Sequence, residues 1–236
     1  MWSDPFVPHP APQPKYPVPI NKENLQRIFG NAGDFTLREV LAGPEKQRIW
    51  VCSIDGLVSS SEISDFVMKP LMQAKRRVDL ETAKTLIYNA VEVPVPDMDA
   101  AAEKLVNGFC LVIFGENQAA AFEVKTGEKR SISSPEVENT IKGAKDAFTE
   151  TVRTNTSLLR RHLRTPELRL EEQVVGRRSL TNVTICSIAG ITDPNLVREV
   201  SWRVRSLDID GLLTPAAVEE YLTGSRTTAF PLQIYT

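Results

Sequence analysis

The chain has 236 residues, 42% of them apolar and 25% charged, with a formal net charge of −2. This is the composition of a globular protein long enough for one large domain or two small ones. The overall balance argues for neither a nucleic acid nor a membrane surface as partner.

Residues 1–20 carry seven of the 16 prolines and are expected to form a disordered or extended lead-in, since proline suits neither a helix interior nor an inner strand. The segment 21–30 predicts a short helix with Asn21 as its cap and Leu25 and Ile28 on one face. Strands are expected at 34–41 and 47–54, followed by a tight turn at Asp55 and Gly56. Ser60 or Ser61 is positioned to cap the next helix, with Ile63, Phe66, Val67 and Leu71 towards its buried side and Pro70 bending or ending it. Helices near 79–90 and 97–107 precede two apolar runs, 109–115 and 119–125, that read as a hairpin.

The polar stretch 126–145 breaks the apolar rhythm and reads as a linker. Beyond it, 145–164 predicts a long helix with Phe148, Val152, Leu159 and Leu163 at helical spacing; Arg160 and Arg161 are then expected to point sideways or outward. Strands at 167–176 and 181–190, helices at 193–205 and 214–223, and a strand at 230–235 complete the chain. Residues 51–58 (VCSIDGLV) and 185–192 (ICSIAGIT) write the same strand and turn twice, with turn residues Gly56 and Gly190, and a third echo carries Asp210 and Gly211. The expected fold is therefore α/β: two small α/β subdomains, 21–125 and 146–236, each a mixed sheet with flanking helices, joined by the polar linker.

Cys52, Cys110 and Cys186 lie in apolar runs and read as buried strand thiols of a reducing compartment, not as a disulfide framework. No signal peptide is read at the start, and the longest strictly apolar run, 109–114, is far below the roughly 18 residues of a spanning helix. The chain is expected to be soluble, or the soluble part of something larger. No Gly-x-Gly-x-x-Gly fingerprint, phosphate loop or Gly-x-Ser-x-Gly elbow occurs, and the cysteines and the two histidines make no metal-ligand pattern. The reading is a protein without cofactor and without enzymatic activity.

The informative stretch is 143–171. Between 151 and 178 there are seven arginines against three acids, a local net charge of +4. Such a patch is either a solvated helix face or a docking surface for acidic groups of another subunit or lipid headgroups. The sequence FTETVRTNTSLLRRHLRTPELRLE resembles the signature of the A subunits of GerA-type spore germinant receptors, at Gly143, Phe148, Glu150, Asn155, Leu158, Leu159, Arg160 and Arg161; Ala144 stands where the family has proline. IDGLV (54–58) and DIDGLL (208–213) resemble the family's strand turns, and FPLQIYT (230–236) its lead into the first membrane segment. The related stage V sporulation protein AF shares this architecture.

The resemblance implies a membrane region beyond the C-terminus and a place in the inner spore membrane, with this domain on the core side. It also implies B and C subunits and other A subunits as partners, with no nucleic acid, and a role in turning a nutrient signal into ion release. Glu150, Asn155, Arg160, Arg161 and Arg164 become the candidate subunit interface. A small-molecule module holding a germinant between the two subdomains is the other reading.

Overall fold

The computed structural model describes residues 13–30, 32–87, 91–124, 148–212 and 218. The chain divides into two compact units. The first comprises Met1–Ile28 and Thr36–Arg130, the second Phe29–Phe35 and Ser131–Thr236. The chain thus leaves the first unit after Ile28, contributes residues 29–35 to the second, and returns at Thr36. The expected linker, 126–145, lies outside the described residues.

The first unit is a five-stranded sheet with helices. Its elements are α1 (Lys22–Phe29), β1 (Phe35–Ala42), β2 (Gln47–Ile54), α2 (Ser60–Glu62), a π-helical segment (Ile63–Met68), α3 (Lys69–Met72), α4 (Leu80–Leu86), β3 (Val91–Pro94), α5 (Met98–Val106), β4 (Phe109–Gly115) and β5 (Gln118–Glu123). The strand order is β1-β2-β4-β5-β3. Where mixed pairing was expected, β2–β4, β4–β5 and β3–β5 all pair antiparallel. The tight β4–β5 hairpin is one reason: Asn117 takes φ +55 in its turn, a left-handed conformation that asparagine tolerates. β3 has no counterpart in the sequence reading. Its Pro94 breaks the strand signature, and the sheet accordingly holds it at an edge.

Alternation along the central strands builds two buried faces. Ile49 and Val51 of β2 and Cys110 and Val112 of β4 join Ile63, Val67, Leu71, Ala83 and Ile87 in one cluster. Their neighbours Cys52, Ile54, Leu111 and Ile113 are equally buried and point the other way, where α5 packs on β2 and β4. Ser59, one residue before the expected caps, is the cap of α2: its hydroxyl accepts from Glu62 N at 3.3 Å. Pro70 does not end the helix. The wide turn before it, in which Lys69 N donates five residues back to Ser64 O, takes the chain into α3 with Pro70 in its first turn, where the missing N–H costs nothing. Phe66, placed by the sequence towards the core, is 41% exposed because this turn rotates it outward.

Residues 13–20, part of the expected disordered or extended lead-in, are held by hydrogen bonds to other parts of the chain. Asp99 accepts from Lys15 N at 2.7 Å and Tyr16 N at 2.8 Å, and Asn117 brackets Ile20 through its side chain (2.9 Å) and its backbone (3.0 Å). Ile20 is fully buried. Residues 1–12 lie outside the described residues.

The second unit contains α6 (Val152–His162), β6 (Leu168–Val175), β7 (Thr181–Ile188) and α7 (Pro194–Arg205). β6 and β7 form a two-stranded antiparallel sheet, in register from Leu168↔Ile188 to Val175↔Thr181. The two echoed strands, β2 and β7, therefore belong to different sheets, and their turn glycines share one conformation: Gly56 and Gly190 both have φ +82, open to glycine and rarely to other residues. α7 starts at Asp193, whose carboxylate accepts from Asn195 N at 2.8 Å. It packs on the sheet through Val204, with Val175 and Leu207. A polar lock adds to this: Ser201 Oγ donates to Glu171 Oε1 at 2.6 Å and accepts from Gln173 Nε2 at 2.7 Å. The helix at 214–223 and the strand at 230–235 expected from the sequence fall almost entirely outside the described residues.

Candidate functional site

The arginine-rich stretch folds differently from the expected continuous helix. α6 begins at Val152, and Phe148, placed by the sequence on its buried stripe, lies before it and is 60% exposed. Asn155 explains the late start. Its Oδ1 accepts from Thr149 N at 2.7 Å and its Nδ2 donates to Thr149 O at 2.7 Å. The amide side chain thus satisfies both backbone groups of Thr149, which folds the incoming chain against the first turn rather than into it.

The buried face of α6 carries Thr156, Ser157, Leu158 and Arg160. Leu163, expected to face the sheet, is 41% exposed at the helix end. Thr156 and Ser157 satisfy their hydroxyls within the helix, on the carbonyls of Arg153 (3.1 Å) and Thr154 (2.8 Å).

Arg160 is the main correction to the sequence reading. It is fully buried, not projecting outward. Its Nε donates to Asp34 Oδ2 at 2.7 Å and its Nη2 to Asp34 Oδ1 at 2.9 Å, a bidentate pair with an aspartate that is itself fully buried. Nη1 donates to Thr165 O at 3.0 Å, closing the turn after the helix.

Two more arginines hold the same seven-residue segment, 29–35. Arg169 Nη1 donates to Phe29 O at 2.6 Å, and Arg153 pairs with Glu172 at 2.7 Å beside Gly33. Gly33 N donates to Leu170 O at 2.8 Å, and the rings of Phe29 and Phe35 stack with centroids 4.7 Å apart. The site is thus a clasp: arginines from α6 and β6 grip a segment that belongs, in sequence, to the beginning of the chain. Sequence reading missed Asp34, Arg153 and Arg169 as members. An acid before an apolar strand carries no mark that its partner lies 126 residues on.

The other singled-out residues divide between surface and turns. Glu150, Arg161 and Arg164 are exposed, and Arg164 Nε donates to Arg161 O at 3.2 Å. Asp55 accepts from Gly56 N at 3.0 Å, as a turn aspartate does. Asp210 uses its carbonyl, which accepts from Arg178 N and Ser179 N, and Gly211 packs beside Ser179. Cys186 is exposed rather than buried like Cys52 and Cys110. Partial burial pushes its thiol up, Asp34 adds to this, and Arg160 opposes it. Among the described residues no group of His, Cys, Asp and Glu is placed to hold a metal.

The family described as Bacillus/Clostridium GerA spore germination protein matches residues 23–236. The chain belongs to the GerA family. Among curated relatives it is 28% identical over 220 residues to the uncharacterized membrane protein YfkQ of Bacillus subtilis (strain 168), covering 92% of this chain and 43% of that protein. It is 27% identical to spore germination protein KA of the same organism, covering 92% of this chain and 41% of that one. Stage V sporulation protein AF, also of that strain, is 31% identical over 78% of this chain and 38% of its own length. The chain therefore spans less than half the length of these relatives. Among solved structures, the N-terminal domain of the A subunit of the Bacillus megaterium spore germinant receptor GerK3 superposes with a TM-score of 0.64 at 26% identity, covering 88% of this chain and 78% of that one. Among the described residues no helix is long and apolar enough to cross a membrane.

Proposed function

We propose that this chain is the N-terminal part of a germinant-receptor A subunit, lying outside the membrane on the core side of the inner spore membrane. It couples nutrient recognition elsewhere in the receptor to ion release, through contacts with B and C subunits and with other A subunits. The observation that carries this reading is the division of labour along α6 and the residues flanking it. Asn155 and Arg160 are spent inside the unit, on Thr149 and Asp34, whereas Glu150, Arg161 and Arg164 stand at the surface beside them. The internal pair fixes the helix; the exposed side chains lie where acidic and basic groups of a partner can meet them, and electrostatic complementarity there sets specificity.

The test is germination of spores carrying Arg161→Ala with Arg164→Ala in the full-length protein, with receptor level measured in the same spores. Loss of nutrient-triggered germination, or loss of the partner subunits from the membrane, is the expected outcome. Normal germination at normal receptor level would defeat the proposal.

A further inference from the structure

The first unit holds a cavity of about 110 Å³ that the coupling role does not use. Its wall is built from alternate residues of two neighbouring strands, Thr36 and Arg38 on β1 and Val51 and Ser53 on β2, with Asp55 at the following turn. Ser60 of α2 and Ile63, Ser64 and Met68 of the π-helical segment close it. The π turn is one of the rarest backbone forms and is frequent at functional sites. Here it brings Ile63, Ser64 and Met68 together onto the cavity.

The polar groups of the wall are unequally satisfied. Thr36 Oγ1 and Ser53 Oγ bond each other at 2.7 Å, and Ser64 Oγ donates to Ser60 O at 2.9 Å. Arg38 and the Ser60 hydroxyl have no hydrogen-bond or ion-pair partner among the described residues. The wall's unpartnered charge is therefore a pure donor, the Arg38 guanidinium, beside a Ser60 hydroxyl that can donate or accept. It calls for an acceptor-rich anionic head, and a guanidinium meets a carboxylate with two parallel bonds. Asp55 on the same wall sets an upper limit on charge, because a doubly charged anion would be repelled at close range. Val51, Ile63 and Met68 supply the apolar part, and the volume, below that of drug-sized pockets, limits the ligand to a few heavy atoms.

We infer that this cavity is a binding site for a small, singly charged carboxylate with a short alkyl chain, its head on Arg38 and Ser60 and its chain against Val51, Ile63 and Met68. The inference stands on the first unit alone and does not depend on the coupling role.

The purified chain tests it, with sodium acetate, propionate and sulfate as probes, each against sodium chloride at equal ionic strength. Calorimetric titration and thermal melting are the readouts. Acetate and propionate are expected to bind saturably and raise the melting temperature. Propionate should bind about fourfold tighter, the value of one buried methylene. Sulfate should give no saturable signal. Arg38→Gln should weaken propionate about tenfold or more, as loss of a charged hydrogen-bonding partner does. As Arg38 is exposed, the variant should melt like the parent without ligand. Three results would each overturn the inference: no saturable binding of either carboxylate, equal binding to Arg38→Gln, or sulfate matching propionate.

Discussion

Asp34 and Arg160, 126 residues apart in sequence, form a two-bond ion pair from which water is fully excluded. Taking both charges out of water is expensive, and their attraction repays the cost only while the pair is whole. Arg160→Ala or Asp34→Ala should therefore destabilise the second unit by about 3–5 kcal/mol, because each leaves a lone buried charge. Replacing both, with Arg160→Met and Asp34→Leu, should recover most of the loss. Urea unfolding followed by circular dichroism reads all four proteins. Single variants within about 0.5 kcal/mol of the parent would contradict the burial.

Asn155 gives a second, separable expectation. Asn155→Ala strips both backbone groups of Thr149 of their partner and should cost about 1–3 kcal/mol. Asn155→Asp keeps the acceptor for Thr149 N but loses the donor to Thr149 O, so it should fall between parent and alanine variant. Amide hydrogen exchange at Thr149 reports the local effect: protection should drop in Asn155→Ala and survive in Asn155→Asp.

Arg161→Ala and Arg164→Ala should behave oppositely to Arg160→Ala. Both side chains are exposed, so the double variant should unfold within about 0.5 kcal/mol of the parent. Urea unfolding of the same chain, set beside the germination phenotype, separates a lost contact from a lost fold. A large destabilisation would mean that these arginines too are structural.

The thiols give a pH dependence. Burial pushes Cys110 up from 9.0 to about 12 and holds Cys52 well above its ordinary value, with Cys110 adding to the latter. Below pH 9 the thiols keep their protons whether folded or unfolded, and their contribution is complete. Between about pH 9 and 12 the unfolded chain loses these protons while the folded one retains them, so stability should fall as pH rises. Urea midpoints at about pH 8 and about pH 11 check this, and Cys52→Ala with Cys110→Ala should flatten the fall. A thiol reagent should label Cys186 first, slowly at neutral pH because its thiol is pushed up, and leave the other two until the chain unfolds.

Much of the fold was legible because it is local. Strand β2 falls where alternation and the Asp55–Gly56 turn put it, and Asn21 caps α1 as its position suggests, accepting from Asn24 N at 2.8 Å. β3 was hidden because a short edge strand ending in proline lacks the usual signature. The arginine helix was misread for a different reason. Its buried face is mostly polar, and a hydrophobic period cannot point to Arg160 as a core residue. The charge that matches it lies on Asp34, beyond the reach of any local pattern. What the sequence did carry was the motif itself, the right residues without their directions.

The threading of residues 29–35 into the second unit also sets an order of events as the chain is made. Asp34 leaves the ribosome 126 residues ahead of Arg160, a delay on the order of ten seconds at ordinary rates of synthesis. The helix before the aspartate and the strand after it belong almost wholly to the first unit and can settle early, while the loop between them must wait in water with its carboxylate hydrated. The last third of the chain then closes over one of the first pieces made. A ribosome that stops short of the arginine helix releases a product whose sheet can be complete and whose loop has nothing to hold it.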